Sequence, residues 1–213
     1  MVRISDILFD LCGNDFLLPY LRREASIAEG EPDYDKDTEP TRAVRIVTDD
    51  TTANTDPAFD AEVLRLGLPL AVLHCPCIVA TGMTGLPRRI AESIYAGRFV
   101  TIKGCDARIS VVHGSDAARA AMMMAGTVAI LSLTDGTDPT IAGLADAIAC
   151  RIDGKRLFAV GPRIARLWHG RQFYTMLTTD ATCPENFSAA YPDFRPTPVT
   201  EYLRTHVYDQ NSL

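Results

Sequence analysis

The stretch from Leu68 to Ala120, LPLAVLHCPCIVATGMTGLPRRIAESIYAGRFVTIKGCDARISVVHGSDAARA, decides the fold. It opens with a short apolar run, Leu70 to Leu73, bounded by Pro69 and Pro76, the profile of a strand buried on both faces. A loop with Thr81, Gly82 and Gly85 follows. Leu86, Ile90 and Ile94 then recur at helical spacing, and Gly97 supplies the stop. A strand over Phe99 to Ile102, a turn at Gly104, a second strand over Ser110 to His113 and a helix opening at Ser115–Asp116 complete the stretch. Strands alternating with helices of this length predict an α/β protein with a parallel sheet.

Three pieces of that stretch, taken in order and spacing, resemble a known family. GLPLAVLHCP, GRF and RISVVHGSDAARA resemble the corresponding strands and strand-to-helix junction of the NAD-dependent epimerase/dehydratases, the extended branch of the short-chain dehydrogenase/reductases. The resemblance covers residues 43–150, about half the chain. It implies a Rossmann-like, mostly parallel sheet flanked by helices and a small C-terminal lobe. The expected division is a partial Rossmann-like domain over 1–150 and the lobe over 151–213. The sheet is expected to be reduced to about four or five strands. Fold does not fix function, which depends on the site residues.

Working outward, the 213 residues suit one large domain, or one domain with a small appendage. With 47% apolar and 23% charged residues the chain has material for a core. A net charge of −6 argues against a nucleic-acid surface and against binding to anionic membranes. No apolar run reaches the roughly 18–20 residues of a membrane span. The N-terminus lacks the basic start and apolar region of a secretion signal, so a cytoplasmic protein is expected. Six scattered cysteines (Cys12, Cys75, Cys77, Cys105, Cys150 and Cys183) fit reduced thiols better than a disulfide framework. His74-Cys75-Pro76-Cys77 invites a zinc reading, but no second ligand pair stands at compatible spacing, and core thiols are the simpler account.

Asp6 to Cys12, followed by Gly13, predicts a buried strand. It matches the family's fourth strand better than its first. The first-strand register would put Cys12, Asp15 and Leu18 where three glycines must stand. Those glycines allow a tight turn and the close approach of backbone to a pyrophosphate, so side chains there exclude the ligand. Gly82 and Gly85 have the nearest spacing but follow the wrong strand. The usual first half of a dinucleotide-binding sheet is therefore expected to be missing, and with it the fingerprint for NAD(P). Asn14 is placed to cap a helix through Phe16, Leu17, Tyr20 and Leu21, with Pro19 in its first turn. The acidic run from Glu29 to Glu39 reads as a solvated loop.

Ala43 to Val47 predicts the next strand, and Asp49-Asp50-Thr51-Thr52 follows where the family places a catalytic Ser or Thr. Asp56-Pro57 opens a helix through Phe59, Val63 and Leu66, closed by Gly67. In the family this helix carries Tyr-x-x-x-Lys, whose lysine lowers the tyrosine pKa for acid/base work. Here the two positions fall near Asn54 and Ala58, and the chain contains no Tyr-x-x-x-Lys. No catalytic residue is assigned on the family pattern.

On the substrate side, Arg108 matches a basic residue that often contacts nucleotide phosphates in the family. His113 and Asp116 match the junction that follows. His74 stands where the family commonly has arginine, and Thr81 lies in the glycine loop. Arg108, His113, His74 and Thr81 are the candidate substrate-binding residues. Ser115 or Asp116 is expected to cap the helix through Ala117 to Ala125, with Met122 to Met124 as core filler. Thr127 to Leu133 predicts a strand, and Asp138-Pro139 a helix with Ile141, Leu144, Ala145 and Ile148 on one face. Leu157 to Val160, a helix from Pro162 carrying Ile164, Leu167 and Trp168, and a short helix after Thr197-Pro198 resemble the family's C-terminal lobe.

Three functions follow as expectations. One is a catalytically silent relative that binds a nucleotide-sugar-like small molecule or assembles with a partner, as a homodimer through the helix at Asp56–Leu66 or with another protein. A second is an enzyme with altered chemistry using His113, Asp49 or Cys75. The third is a conventional NAD(P)-dependent epimerase/dehydratase.

Overall fold

The computed structural model describes residues 1–29, 39–49, 56–153 and 156–205. In chain order the strands are β1 (Val2–Ile4), β2 (Ile7–Asp10), β3 (Arg42–Val47), β4 (Leu70–His74), β5 (Ile78–Val79), β6 (Thr101–Ile102), β7 (Val112–His113), β8 (Ile130–Ser132) and β9 (Ala159–Val160). The helices are α1 (Leu18–Glu29), α2 (Pro57–Leu66), α3 (Gly85–Tyr95), α4 (Gly114–Met124), α5 (Ile141–Asp153), α6 (Pro162–Thr178), α7 (Phe187–Ala190) and α8 (Val199–Thr205).

Among the described residues, β1-β2-β3-β4-β8 form a sheet of five strands. From β2 to β8 every neighbour is parallel, and β1 adds an antiparallel edge. This is the parallel α/β arrangement that the residue pattern predicts and the mostly parallel, Rossmann-like sheet that the resemblance implies. The order from β2 onward rises steadily, so the sheet winds in one direction.

Period-two alternation decides which side chains meet which helices. Ile7, Phe9, Val44, Ile46, Ala71 and Leu73 face α1 and α4, joining Leu17, Leu21, Ala117, Ala121 and Met124 in the main core. Phe187 and Phe194 close this core from the C-terminal end of the chain. On the other face Leu8 and Ala43 pack against Phe59 of α2 in a much smaller cluster. Two ion pairs of Arg45 fasten α2 there: the guanidinium reaches buried Asp10 at 2.8 Å and half-exposed Asp60 at 2.6 Å, and lies over the Phe59 ring.

α2 has the boundaries its sequence predicts. The Asp56 carboxylate accepts from the Ala58 amide at 2.9 Å, Pro57 occupies the first turn, and Gly67 ends the helix at φ 62°. α6 is broken at Gly170 (φ 74°, ψ 163°). Leu86, Ile90, Ile94, Ile109, Leu144, Ile148, Phe173 and Leu203 build a second core, drawn from both sides of residue 150.

Several expectations are corrected. The strand predicted over Phe99 to Ile102 shortens to β6 and pairs with β9, and Ser110 to His113 shortens to β7 and pairs with β5. Both lie outside the main sheet, in separate two-stranded sheets whose side chains divide between the two cores. Asn14 caps nothing with its side chain. Its amide donates to the Leu11 carbonyl at 2.8 Å, and a 3-10 turn over Asp15–Leu17 precedes α1. The acidic run is outside the described residues from 30 to 38, as is Asn54. No helix among the described residues is long and apolar enough to cross a membrane.

Candidate functional site

The carboxyl ends of parallel strands collect side chains from distant parts of the chain, and in open α/β sheets this is where ligands bind. Register pairs Val47 of β3 with His74 of β4, and His74 with Ser132 of β8. Two residues past Val47, the Asp49 amide donates to the Pro76 carbonyl at 3.3 Å, which holds Asp49 beside the end of β4. The result is a contact between His74 Nε2 and Asp49 Oδ1 at 2.8 Å. On the other side of the ring, Nδ1 meets Cys183 Sγ at 3.5 Å and Ser132 Oγ at 3.5 Å.

The segment carrying Cys183 is laid over the strand ends by a chain of polar contacts. The Cys183 amide donates to Ser110 Oγ at 2.9 Å, and that hydroxyl donates to Asp138 Oδ1 at 2.7 Å. Asn186 clamps Ser132 by accepting from its amide at 2.6 Å and donating its own amide to the Ser132 carbonyl at 3.2 Å. His74 is partly exposed and Cys183 half-buried, so both can meet solvent. Asp49 also lines a cleft of about 300 Å³ walled by Pro76, Cys77, Leu86, Ile109, Met176 and Ala181. That is the lower end of the volume of small-ligand sites, and the wall is mainly apolar.

The four candidate substrate residues divide between two places. His74 belongs to the site just described. Arg108 is exposed, just before Ile109 of the cleft wall. Its guanidinium donates to the Asp138 carbonyl at 2.9 Å and its amide to Asp180 Oδ1 at 2.7 Å. Thr81 and His113 lie together elsewhere, with Tyr20, Arg151 and Tyr202 around a much smaller hollow. There His113 is buried. Its Nδ1 contacts Ser115 Oγ at 2.7 Å and accepts from the Ser115 amide at 3.3 Å, and its ring lies 4.2 Å from that of Tyr202.

His113 itself is therefore the N-cap of α4, a role expected of Ser115 or Asp116. Asp116 instead accepts from Arg119 at 2.9 Å and from the Thr197 amide at 2.6 Å. Gly114 must be glycine, since a Cβ there would stand 2.7 Å from that of Ala80.

Cys75 is corrected as a candidate nucleophile: it is fully buried, and burial pushes its thiol well above the ordinary range. Cys12 is likewise inert, pushed up to about 12 by burial and then by the neighbouring Asp10 carboxylate. His74, Cys75 and Cys77 do not converge, since the histidine turns to Asp49 while both thiols turn into separate cores. Among the described residues no group of three His, Cys, Asp or Glu side chains is placed to hold a metal ion. Sequence reasoning grouped Cys183 with the other reduced thiols and gave it no place in a site. It is 109 residues from His74 and carries no local motif.

A scan against family models finds no match, and no curated protein matches the sequence. Solved structures do. The Bordetella bronchiseptica enzyme WbmH, solved with NAD+, is 16% identical at a TM-score of 0.50, with 78% of this chain and 61% of that chain covered. UDP-N-acetylglucosamine 4-epimerase from Bacillus cereus is 10% identical at a TM-score of 0.54, covering 93% and 75%. A GDP-L-fucose synthetase from Naegleria fowleri is 9% identical at 0.52, covering 93% and 73%. The chain thus spans 61% of the length of WbmH. At these identities the likeness is one of fold alone, and the chain has a Rossmann-like, mixed α/β fold with a mostly parallel sheet, like these structures.

Proposed function

We propose that the chain binds a nucleotide-sugar-like small molecule in the cleft beside Asp49, without conventional NAD(P)-dependent redox catalysis. The observation that carries this reading is the first turn of α2. Ala58, near which the resemblance places the family's lysine, offers a methyl group that cannot lower a tyrosine pKa. A dinucleotide crevice also forms where strand order reverses, and the described sheet winds one way from β2 to β8. The Asp49 carboxylate can accept from sugar hydroxyls. Arg108, exposed near the cleft wall, supplies a guanidinium for phosphate.

A homodimer through α2 is part of the proposal: Leu64 is 82% exposed on that helix, and the cluster beneath it is small. Isothermal titration with UDP, UDP-glucose, NAD+, NADP+ and NADH tests the binding. Micromolar binding of UDP species, weakened about 10-fold in Arg108→Ala, supports it. Micromolar binding of a dinucleotide overturns the loss of cofactor and favours the chemistry named for the structural neighbours. Sedimentation of wild type against Leu64→Glu tests the dimer.

A further inference from the structure

We propose that Cys183, His74 and Asp49 form a thiol acyl-transfer site, with Cys183 as nucleophile, His74 as proton carrier and Asp49 as a positioning residue, acting on esters of short apolar acyl groups. The inference shares Asp49 and its cleft with the proposed nucleotide-sugar site, but it does not require that ligand. It rests on two ring nitrogens with two different neighbours. An ionised Asp49 only accepts, so His74 Nε2 carries the hydrogen of the 2.8 Å contact. That fixes the tautomer and leaves the Nδ1 lone pair facing Cys183 Sγ at 3.5 Å. Nucleophile, base and orienting carboxylate then stand in the relation that covalent catalysis requires.

Ser132 Oγ is as far from Nδ1, but 3.5 Å is beyond a good hydroxyl hydrogen bond and ordinary for the larger sulfur. The thiol's other acceptor, the Pro184 carbonyl, lies further off at 3.7 Å. The remaining cysteines lack this arrangement. Cys12, Cys75 and Cys77 are buried, Cys105 meets the Leu177 carbonyl, and Cys150 is exposed on α5. The apolar wall near Asp49, which includes Ala181 two residues before Cys183, suits a short acyl chain.

The step balances with water as co-reactant. The Cys183 thiol gives its proton to His74 Nδ1, and the sulfur attacks the acyl carbon. A sulfur–carbon bond forms, the carbon–oxygen bond to the alcohol breaks, and the alcohol leaves with the proton from Nδ1. Water then attacks the thioester, passing one proton to Nδ1. The sulfur–carbon bond breaks, the carboxylic acid departs and the thiol is restored.

The test is rapid mixing of the full chain with p-nitrophenyl acetate and p-nitrophenyl butyrate, with intact-mass and peptide analysis of the quenched protein. The expected result is a burst of one nitrophenolate per chain and one acyl group on the peptide containing Cys183. Cys183→Ser abolishes the thioester, while Cys150→Ser, on the exposed face of α5, leaves the burst unchanged. His74→Gln slows acylation about 100-fold. Asp49→Asn slows it while changing its pH–rate profile, which a purely structural role would not do. Circular dichroism confirms that each variant is folded. A burst that survives Cys183→Ser, label on Cys150, or wild-type acylation rates in folded His74→Gln overturns the proposal, as does the absence of any burst.

Discussion

Two histidines sit at the carboxyl ends of parallel strands, and they have opposite surroundings. His113 ends β7 and is buried between Tyr202 and the first turn of α4, with Nδ1 spent on Ser115. His74 ends β4 and is partly exposed, with one nitrogen on the Asp49 carboxylate and the other beside a thiol. The first ring is fixed by packing and satisfies a helix end. The second is fixed by one carboxylate and leaves a basic nitrogen turned toward a nucleophile. What differs is not the residue or the strand position. It is how many neighbours compete for the ring, and whether water can reach it.

The largest expected effect strikes the His113 side. Gly114→Val forces bulk against Ala80, Leu17 and Tyr20, and should cost about 3 kcal/mol in urea unfolding. A cost under about 1 kcal/mol would mean that the α4 start yields easily, and that His113 is not rigidly held. Next, His113→Ala removes a cap and a buried ring, for an expected loss of about 2 kcal/mol. Faster hydrogen exchange in the first turn of α4 is the accompanying signature. Cys183 alkylation should be unchanged.

His74→Gln should lower stability by only about 0.5 kcal/mol, because its hydrogen bond to Asp49 is half in water. A loss as large as that of His113→Ala, read by thermal unfolding, would erase the distinction between the two sites. The smallest effect is a control on acid pH. The Arg42 guanidinium and the Thr41 hydroxyl hold the Asp6 carboxyl below its usual value. Ionised Asp6 therefore contributes stability above the unfolded aspartate value, and that contribution is lost as pH falls through the lowered folded value. Asp6→Asn should make the acid limb of unfolding shallower without touching thiol reactivity.

Much of the fold was legible because its signals are local. Asp56-Pro57 and Gly67 mark both ends of α2, and the prolines flanking β4 confine a short apolar run. The hairpin of β1 and β2 was not legible. Its turn is made by Ser5 at φ 55°, with no glycine or asparagine to announce it. The shortening of β6 and β7 was equally hidden, since an apolar run fits a sheet edge and a helix-packed core alike. At the candidate site, His74 stood out because it closes the apolar run of β4 where the resembling family commonly has arginine. Its partners did not, because Asp49 reaches it through strand register and Cys183 through a long return of the chain.

By itself the sequence determined the alternation of strands and helices, the glycine and proline punctuation, the identity of Ala58 and the absence of Tyr-x-x-x-Lys. Each of these is a property of one residue or of a period repeated over a few, where backbone sterics and burial act locally. Tertiary structure alone decided that Val47 would pair with His74, that Asp49 would face one ring nitrogen and that Cys183 would face the other. Those contacts depend on register between segments far apart in the chain. Register is fixed by the sum of core packing on both faces of the sheet, and no local pattern encodes that sum.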